Sequence, residues 1–446
     1  IMADLIPLFI FPWFLYFYKA NSLNNFLTGL IFVSFFIFST NYTHYGFDIS
    51  FFRYLHRLIG VIAGIFLFIY FLRYKRSFLK EQVPIIMVVF FSAILLSSIG
   101  NDLNLKSYLH YARNYIFIST IVLYLYFYID NKNKLEEIFK LIASITLMLS
   151  LFLILEKSLL GFWDWGYRSD LFYPNPNYLA FAMLPGLAIQ IFHIEKYSWL
   201  KSLFMIIGIV LTLSISAIIS TIFIVFVFFI YKKYYFVTVG FLILTLIFSS
   251  YAILKNSKNI SDARLIIPKI VFNMFNESPI NGIGYGQFLT KFPLYVDKEI
   301  YKQAPSEILD LLVPYYYQFG YSASVGFNKF KIVDEYSDGN SVSLERVNPY
   351  SSTRLPEKMT HNDLLTIMAE LGLVGLIILV FFLYRVFVLL KKILVFNREY
   401  YYVSISMMGG SLIFSLFHNN LTSFMFWFIL FTPFIIIRNY ENNLDH

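Results

Sequence analysis

Residues 202–231 read SLFMIIGIVLTLSISAIISTIFIVFVFFIY and contain no charged side chain. A helix that crosses a bilayer needs about 20 predominantly apolar residues, so this run is long enough to lie within a membrane. Transmembrane β-strands alternate apolar and polar positions over about ten residues, and this run shows no such alternation. The run therefore predicts membrane-spanning α-helices and excludes a β-barrel.

The rest of the chain has the same character. Of its 446 residues, 58% are apolar, 21% are aromatic and 14% are charged, and the mean hydropathy is +0.66. Soluble domains average about 45–50% apolar and about 25% charged residues, so the composition excludes a soluble or a disordered protein. We predict an all-α polytopic membrane protein with about 12–13 transmembrane helices. The absence of cysteine excludes disulfides, zinc–thiolate sites and thiol nucleophiles.

Uncharged stretches between polar clusters predict thirteen helices. They are expected at 5–18, 24–40, 58–72, 83–99, 114–129, 138–155, 177–193, 199–214, 216–231, 234–253, 364–384, 401–416 and 421–437. The run 202–231 could also form one tilted helix, which would separate the lysines at 196 and 201 from those at 232 and 233. Two helices meeting at 214–216 keep all four lysines on one side, as the enrichment of cytoplasmic loops in lysine and arginine favours. We therefore predict two helices there.

Lysine and arginine are distributed unevenly between the two sides that these helices define. Inner connections carry 17 of them, whereas the short outer connections carry six: Arg53, Arg57, Lys106, Arg113, Lys157 and Arg168. We therefore expect the C-terminus in the cytoplasm and segment 254–360, between helices 10 and 11, outside it. Thirteen helices place the N-terminus outside, and an interfacial first segment would place it inside. The chain divides into a transmembrane bundle at 1–253, an extracytoplasmic loop domain at 254–360 and C-terminal transmembrane helices at 361–446.

The outer segment 254–360 is too long for a passive connector. Residues 262–276 predict an amphipathic helix bent at Pro268, and its apolar side consists of Ala263, Ile266, Ile267, Ile270 and Phe275. The segment is close to neutral, with 12 Lys/Arg against 11 Asp/Glu. The net charge of +8 is explained by inner-face cations against anionic lipid, so we expect the lipid bilayer, and no nucleic acid, as a partner.

Two outer arginines stand where an anion could bind. Arg168 precedes Asn175-Pro176-Asn177, a pattern that favours a helix start and is explained by capping alone. An arginine beside the bilayer on the outer side needs an anionic partner. Arg264 opens the amphipathic helix, where a guanidinium beside a helix start suits a phosphate; pairing with Asp262 is the alternative.

Two further motifs follow. The segment 278–288 reads SPINGIGYGQF, which is neither a P-loop nor a dinucleotide fingerprint. Its Gly-Tyr-Gly also occurs in potassium-channel filters, but a tight turn is the simpler interpretation. His361-Asn362-Asp363 opens the eleventh helix, where a histidine could exchange a proton or serve as a cap. No further ligand at metal spacing accompanies it, so we expect no metal.

In their order and spacing, these clusters resemble the O-antigen ligase and polymerase family of bacterial envelope glycosyltransferases. The resemblance covers residues 160–435 and includes the nine residues between His361-Asn362 and Gly372-Leu373-Val374-Gly375. It implies a GT-C-like, inverting, metal-independent enzyme without a cofactor that uses undecaprenyl-diphosphate-linked oligosaccharides. By this resemblance Arg168 and Arg264 would hold the donor diphosphate, and His361 would act near the acceptor hydroxyl.

These three residues are the expected catalytic residues, because fixed guanidinium groups offset charge on a leaving diphosphate and histidine can serve as a general base. Contacts to the substrate are expected from the other residues of the same motifs, Asn175, Asn177, Tyr285 and Asn362. Two departures exist. Ser216 is followed by Ala217 where many members have an arginine, and Ile267 or Pro268 stands where a tryptophan is common.

Two functions compete within this family. A polymerase extends a lipid-linked repeat unit, whereas a ligase transfers the finished glycan to lipid A-core. The idiosyncratic outer loop favours the polymerase, for which Arg346 and Arg354 would bind a second diphosphate and Tyr316 would stack on a sugar. Solvated surface arginines are the alternative at 346 and 354. A transporter or channel remains a minor alternative. The resemblance also implies the bacterial inner membrane, an active site facing the periplasm, and a chain-length regulator and a repeat-unit flippase as partners.

Overall fold

The computed structural model describes most of the predicted helices. The described residues are 27–29, 31–32, 50–73, 81–160, 176–192, 197–234, 263–291, 295, 330–334, 343–346, 362–418, 421 and 423–444. The predicted helices at 5–18 and 234–253 lie outside this part of the chain, and the one at 24–40 lies largely outside it.

The described chain is almost entirely helical. Its helices are α1 (Ser50–Arg73), α2 (Gln82–Leu96), α3 (Leu105–Tyr128), α4 (Lys132–Leu160), α5 (Pro176–Phe192), α6 (Ser198–Leu211), α7 (Ile215–Tyr231), α8 (Ala263–Glu277), α9 (Phe288–Lys291), α10 (Asp363–Phe396), α11 (Arg398–Ser415) and α12 (Phe424–Leu444). Within the described residues, the portions Lys132–Ser158, Asp363–Phe396 and Phe424–Glu441 are long and apolar enough to cross a membrane, and five shorter apolar helices accompany them. The fold is that of an all-α, multi-pass membrane protein.

Ten of the thirteen predicted helices coincide with described helices. The largest differences in their bounds lie at α3, which begins nine residues earlier than predicted, and at α10, which ends twelve residues later. Hydropathy ends a predicted span at the first charged residues, but the helical hydrogen bonds continue past them. Asn104 caps the true start of α3, where its side chain accepts from the Ser107 N–H.

The run 202–231 forms two helices, as predicted. α6 ends at Leu211, Leu213 adopts a left-handed φ of 53°, and α7 begins at Ile215. The start of α6 and the end of α7 both contact the end of α5. Ser198 Oγ donates to Gln190 O at 2.7 Å, and the Tyr231 ring lies 5.4 Å from the Phe192 ring. The two helices therefore form a hairpin whose two ends, and the lysines on them, lie on the same side.

Segment 254–360 is partly helical, as predicted, but its described residues also include a β-hairpin. Strands β1 (Phe330–Asp334) and β2 (Ser343–Arg346) pair antiparallel, with Phe330 opposite Arg346. In α8, Ile266, Ile267 and Ile270 are buried as expected, together with Val271 and Met274, whereas Phe275 is half-buried. Pro268 lies inside the helix.

Successive connections between the helices lie alternately at two opposite ends of the bundle. At one end, Arg438 near the end of α12 pairs with Glu81 at 3.3 Å and donates to Tyr126 O at 2.7 Å, while Arg398 donates to Tyr231 O at 3.4 Å. We call this the basic end. At the other end, residues 97–107, 278–288 and 362–372 and the described residues of 416–421 are joined by hydrogen bonds, and we call it the motif end.

Candidate functional site

The centre of the motif end is a helix break that pairs with the glycine segment 278–288. Gly372 of α10 has φ 58° and ψ −150°, so the helix is interrupted there. In an uninterrupted helix, the N–H groups of residues 373 and 374 would donate to the carbonyls of residues 369 and 370. Instead these four backbone groups bond to the glycine segment.

The exchange leaves each of the four groups with a partner. Leu373 N donates to Pro279 O at 2.8 Å and Val374 N to Ile280 O at 3.0 Å. In return, the carbonyls of residues 369 and 370 accept from Ile283 N at 2.9 Å and Gly284 N at 3.2 Å. Because unpaired backbone groups are unfavourable away from water, the break in α10 and the glycine segment require each other.

Two glycines permit this close approach. A Cβ at Gly372 would lie 2.6 Å from Gly282 N and 2.8 Å from Ile280 O. A Cβ at Gly282 would lie 2.6 Å from Leu371 N. Both glycines also have positive φ, which L side chains rarely adopt. The glycines in both motifs therefore serve backbone-to-backbone packing.

A buried carboxylate completes the joint. Glu370 is 2% exposed, and its two oxygens accept from Gly286 N at 2.8 Å and Phe288 N at 3.0 Å. Glu370 is a carboxylate within the apolar helix α10. The structure commits both of its oxygens to the backbone of the glycine segment.

The turn between α2 and α3 holds the same segment from the other side. Ser97 Oγ accepts from Tyr285 N at 3.0 Å, Asn101 donates to Gly282 O at 2.8 Å, and Ser107 donates to Gly286 O at 2.7 Å. Gln287 exchanges two hydrogen bonds with the backbone of Asn104, at 2.8 and 3.2 Å. The first half of the chain therefore shapes the motif end, although the resemblance did not include it.

Burial shifts the pKa values of two titratable groups in or near the glycine segment. Burial and, secondarily, the nearby Glu370 raise the pKa of Tyr285 well above its usual value, so its phenol stays neutral. Burial also lowers the pKa of Lys291, whose Nζ donates to Ile283 O at 3.2 Å. Among the described residues, no group of three His, Asp or Glu side chains could hold a metal ion.

The His-Asn-Asp motif holds the connection between α11 and α12. Asn362 caps α10 by accepting from Leu365 N at 3.0 Å, and its amide nitrogen donates to Leu416 O at 3.0 Å. Asp363 is 5% exposed and accepts from Leu421 N at 3.1 Å. The two side chains that follow His361 therefore fasten both ends of the connection 416–421.

The structure places five of the predicted site residues at least in part, and Arg346 is one of them. Tyr285 is buried in the core, with its ring 6.2 Å from that of Tyr111, and Asn362 is the cap described above. Asn177 is half-buried in the first turn of α5, and Pro176 begins that helix, as the Asn-Pro pattern predicted. The backbone of Arg264 lies in the first turn of α8.

None of the predicted site roles is tested. Arg346 ends strand β2, while Arg168, Asn175, Tyr316, Arg354 and His361 lie outside the described residues. Sequence reasoning missed Ser97, Gln287, Asp363 and Glu370 as residues that build the site. Only Glu370 and Asp363 carried a usable signal, since each is a carboxylate within an apolar helix or at its start.

Comparison with known proteins supports one family. Residues 200–314 match the family model described as O-antigen ligase, a stretch that contains most of α6, all of α7 to α9, Arg264 and the glycine segment. A search of the curated proteins finds no match. Residues 200–314 are therefore similar to the O-antigen ligase family, and this similarity supports the resemblance to the O-antigen ligase and polymerase family.

Proposed function

We propose that the protein is a surface-polysaccharide polymerase, which transfers a glycan from undecaprenyl diphosphate to a lipid-linked repeat unit. The joint between the glycine segment and α10 carries the proposal. It connects the matched family region, which contains Arg264, to the helix that directly follows His361. Residues far apart in the sequence can thus serve one site at the motif end.

The proposed reaction uses few protein groups. The acceptor hydroxyl oxygen forms a bond to the anomeric carbon while the bond from that carbon to the diphosphate oxygen breaks, which inverts the configuration. His361 accepts the hydroxyl proton. Arg168 and Arg264 stabilise the negative charge on the departing diphosphate. A diphosphate is already a good leaving group, so the residues assigned here suffice without a cofactor.

A polymerase binds a second lipid diphosphate, the acceptor. We assign this contact to Arg346 and Arg354, with Tyr316 stacking on a sugar. The proposal places the enzyme in the bacterial inner membrane with its site facing the periplasm, where a repeat-unit flippase supplies substrate and a chain-length regulator limits the product.

Ligation to lipid A-core is the second candidate, because the family matched by residues 200–314 is described as O-antigen ligase. Purified protein given only the undecaprenyl-diphosphate repeat unit should produce a ladder of longer lipid-linked glycans. Arg264→Ala should lower turnover about tenfold, the effect of a lost charge-assisted hydrogen bond. Arg264→Lys should recover only part of it. Loading of glycan onto added lipid A-core without a ladder would replace the polymerase by the ligase.

A further inference from the structure

The connection 416–421 between α11 and α12 is held by the motif that contains His361. Asn362 bonds to Leu416 O at 3.0 Å, and Asp363 bonds to Leu421 N at 3.1 Å. Leu421 O in turn accepts from Trp427 Nε1 at 2.8 Å. The buried Asp363 carboxylate is thus used to fix a short connection rather than to face solvent. The connection fixed in this way carries His418.

His418 lies within this connection and is half-buried. Its ring packs on the Phe414 ring at 4.6 Å, and Phe414 packs on Phe181 of α5 at 5.1 Å. Phe181 lies one turn after Asn177 on the helix that the Asn-Pro-Asn motif opens. His418 therefore lies between the starts of α5 and α10, the two helices that begin with family motifs.

We propose that His418 is a binding residue of the motif end that contacts a phosphate oxygen of the lipid diphosphate. The inference deepens the proposed function and rests on it. A half-buried imidazole packed on an aromatic ring is held in one orientation, and a protonated imidazole donates a charge-assisted hydrogen bond to phosphate.

Steady-state kinetics with the lipid-linked repeat unit tests the proposal. His418→Gln should raise KM about tenfold and change kcat less than about twofold, because the lost contact is made in both the ground state and the transition state. His418→Lys keeps a cation and should recover part of the affinity. His110→Gln is the matched control, since His110 lies near the same end but its ring bonds to Arg113 and Asn114 at 3.2 Å.

Direct binding separates the possible sources of the phosphate. The shift in thermal unfolding caused by undecaprenyl diphosphate should be lost in His418→Gln and kept in His110→Gln. Equal shifts in both variants would overturn the proposal. It would also be overturned if phosphatidylglycerol nanodiscs lacking the diphosphate shift the unfolding temperature of the wild type and His418→Gln loses that shift to the same extent. If His418→Gln does not elute as a single species, His418→Lys replaces it in the test. A KM raised several-fold with part of the thermal shift kept would support the proposal, whereas an unaltered KM or a complete loss of the shift would overturn it. A wild-type protein that neither transfers glycan nor binds undecaprenyl diphosphate would instead refute the proposed function.

Discussion

At the residue scale, Glu370 shows how one side chain can organise a segment distant in the sequence. Both of its oxygens accept backbone N–H groups of the glycine segment, and the residue is almost fully buried. A buried carboxylate without partners is strongly unfavourable, whereas one that accepts well-placed N–H groups stabilises the structure around it. The carboxylate of Glu370 therefore matters more for stability than the volume of its side chain.

Glu370→Gln should destabilise the protein by about 1–3 kcal/mol, the range for leaving a buried donor without an acceptor. The glutamine oxygen can still accept from Gly286 N or Phe288 N, but its NH2 group would face the other N–H. Thermal unfolding in detergent measures the change, and the exposed Glu137 provides Glu137→Gln as a control. Equal unfolding temperatures for the two variants would show that the hydrogen bonds to Glu370 contribute little.

At the element scale, α10 is not one continuous helix but two helices joined at Gly372. The break is possible because the glycine segment supplies donors and acceptors for the freed backbone groups. Helix-breaking glycine is tolerated inside membrane proteins where neighbouring groups satisfy the backbone in this way. The glycine segment thereby aligns α8 with the first turns of α10.

Gly372→Ala should therefore be far more harmful than a typical glycine substitution in a helix. Its Cβ would meet backbone atoms of Gly282 and Ile280, which cannot rotate away, and its left-handed φ adds strain of about 1–3 kcal/mol. Gly64→Ala is the matched control, because its Cβ would make only an ordinary 3.4 Å contact with Thr120. We expect a lower unfolding temperature and lost activity for the first variant alone. Similar behaviour of both would refute the backbone joint.

At the scale of the whole molecule, the helices connect a basic end to a motif end. The polar contacts at the basic end include arginines near the start of α11 and the end of α12. The glycine segment, the cap of α10 and the connection 416–421 gather at the opposite end. Lysine and arginine counts predict that the basic end faces the cytoplasm.

Reporter fusions test this orientation. A periplasm-active reporter should be active when fused at Asn340, and a cytoplasm-active reporter should be active when fused at His446. The prediction follows from the count of 17 inner against six outer lysines and arginines. A fusion after Lys233 serves as an internal control and should report the same side as His446. An outward-facing C-terminus would reverse the predicted orientation and place the motif end in the cytoplasm.

Local properties of the sequence determined the class of fold, most helix positions and the division of 202–231 into two helices. Hydropathy, charge and helix-start residues act over a few neighbouring positions, so they can be read without knowing the tertiary contacts. The same reading placed α8 within one residue of its observed bounds. It missed the short β-hairpin of the outer segment, because two strands of four or five residues leave little periodic pattern.

Only the tertiary structure decided how the motifs are joined. Ser97 and Tyr285 are 188 positions apart, and Glu370 and Gly286 are 84 apart, so no local pattern links them. The break at Gly372 also depends on backbone groups, which are identical in every residue except proline and therefore leave no mark on the sequence. The glycines and the buried carboxylate could be seen in the sequence, but their partners follow from three-dimensional packing alone.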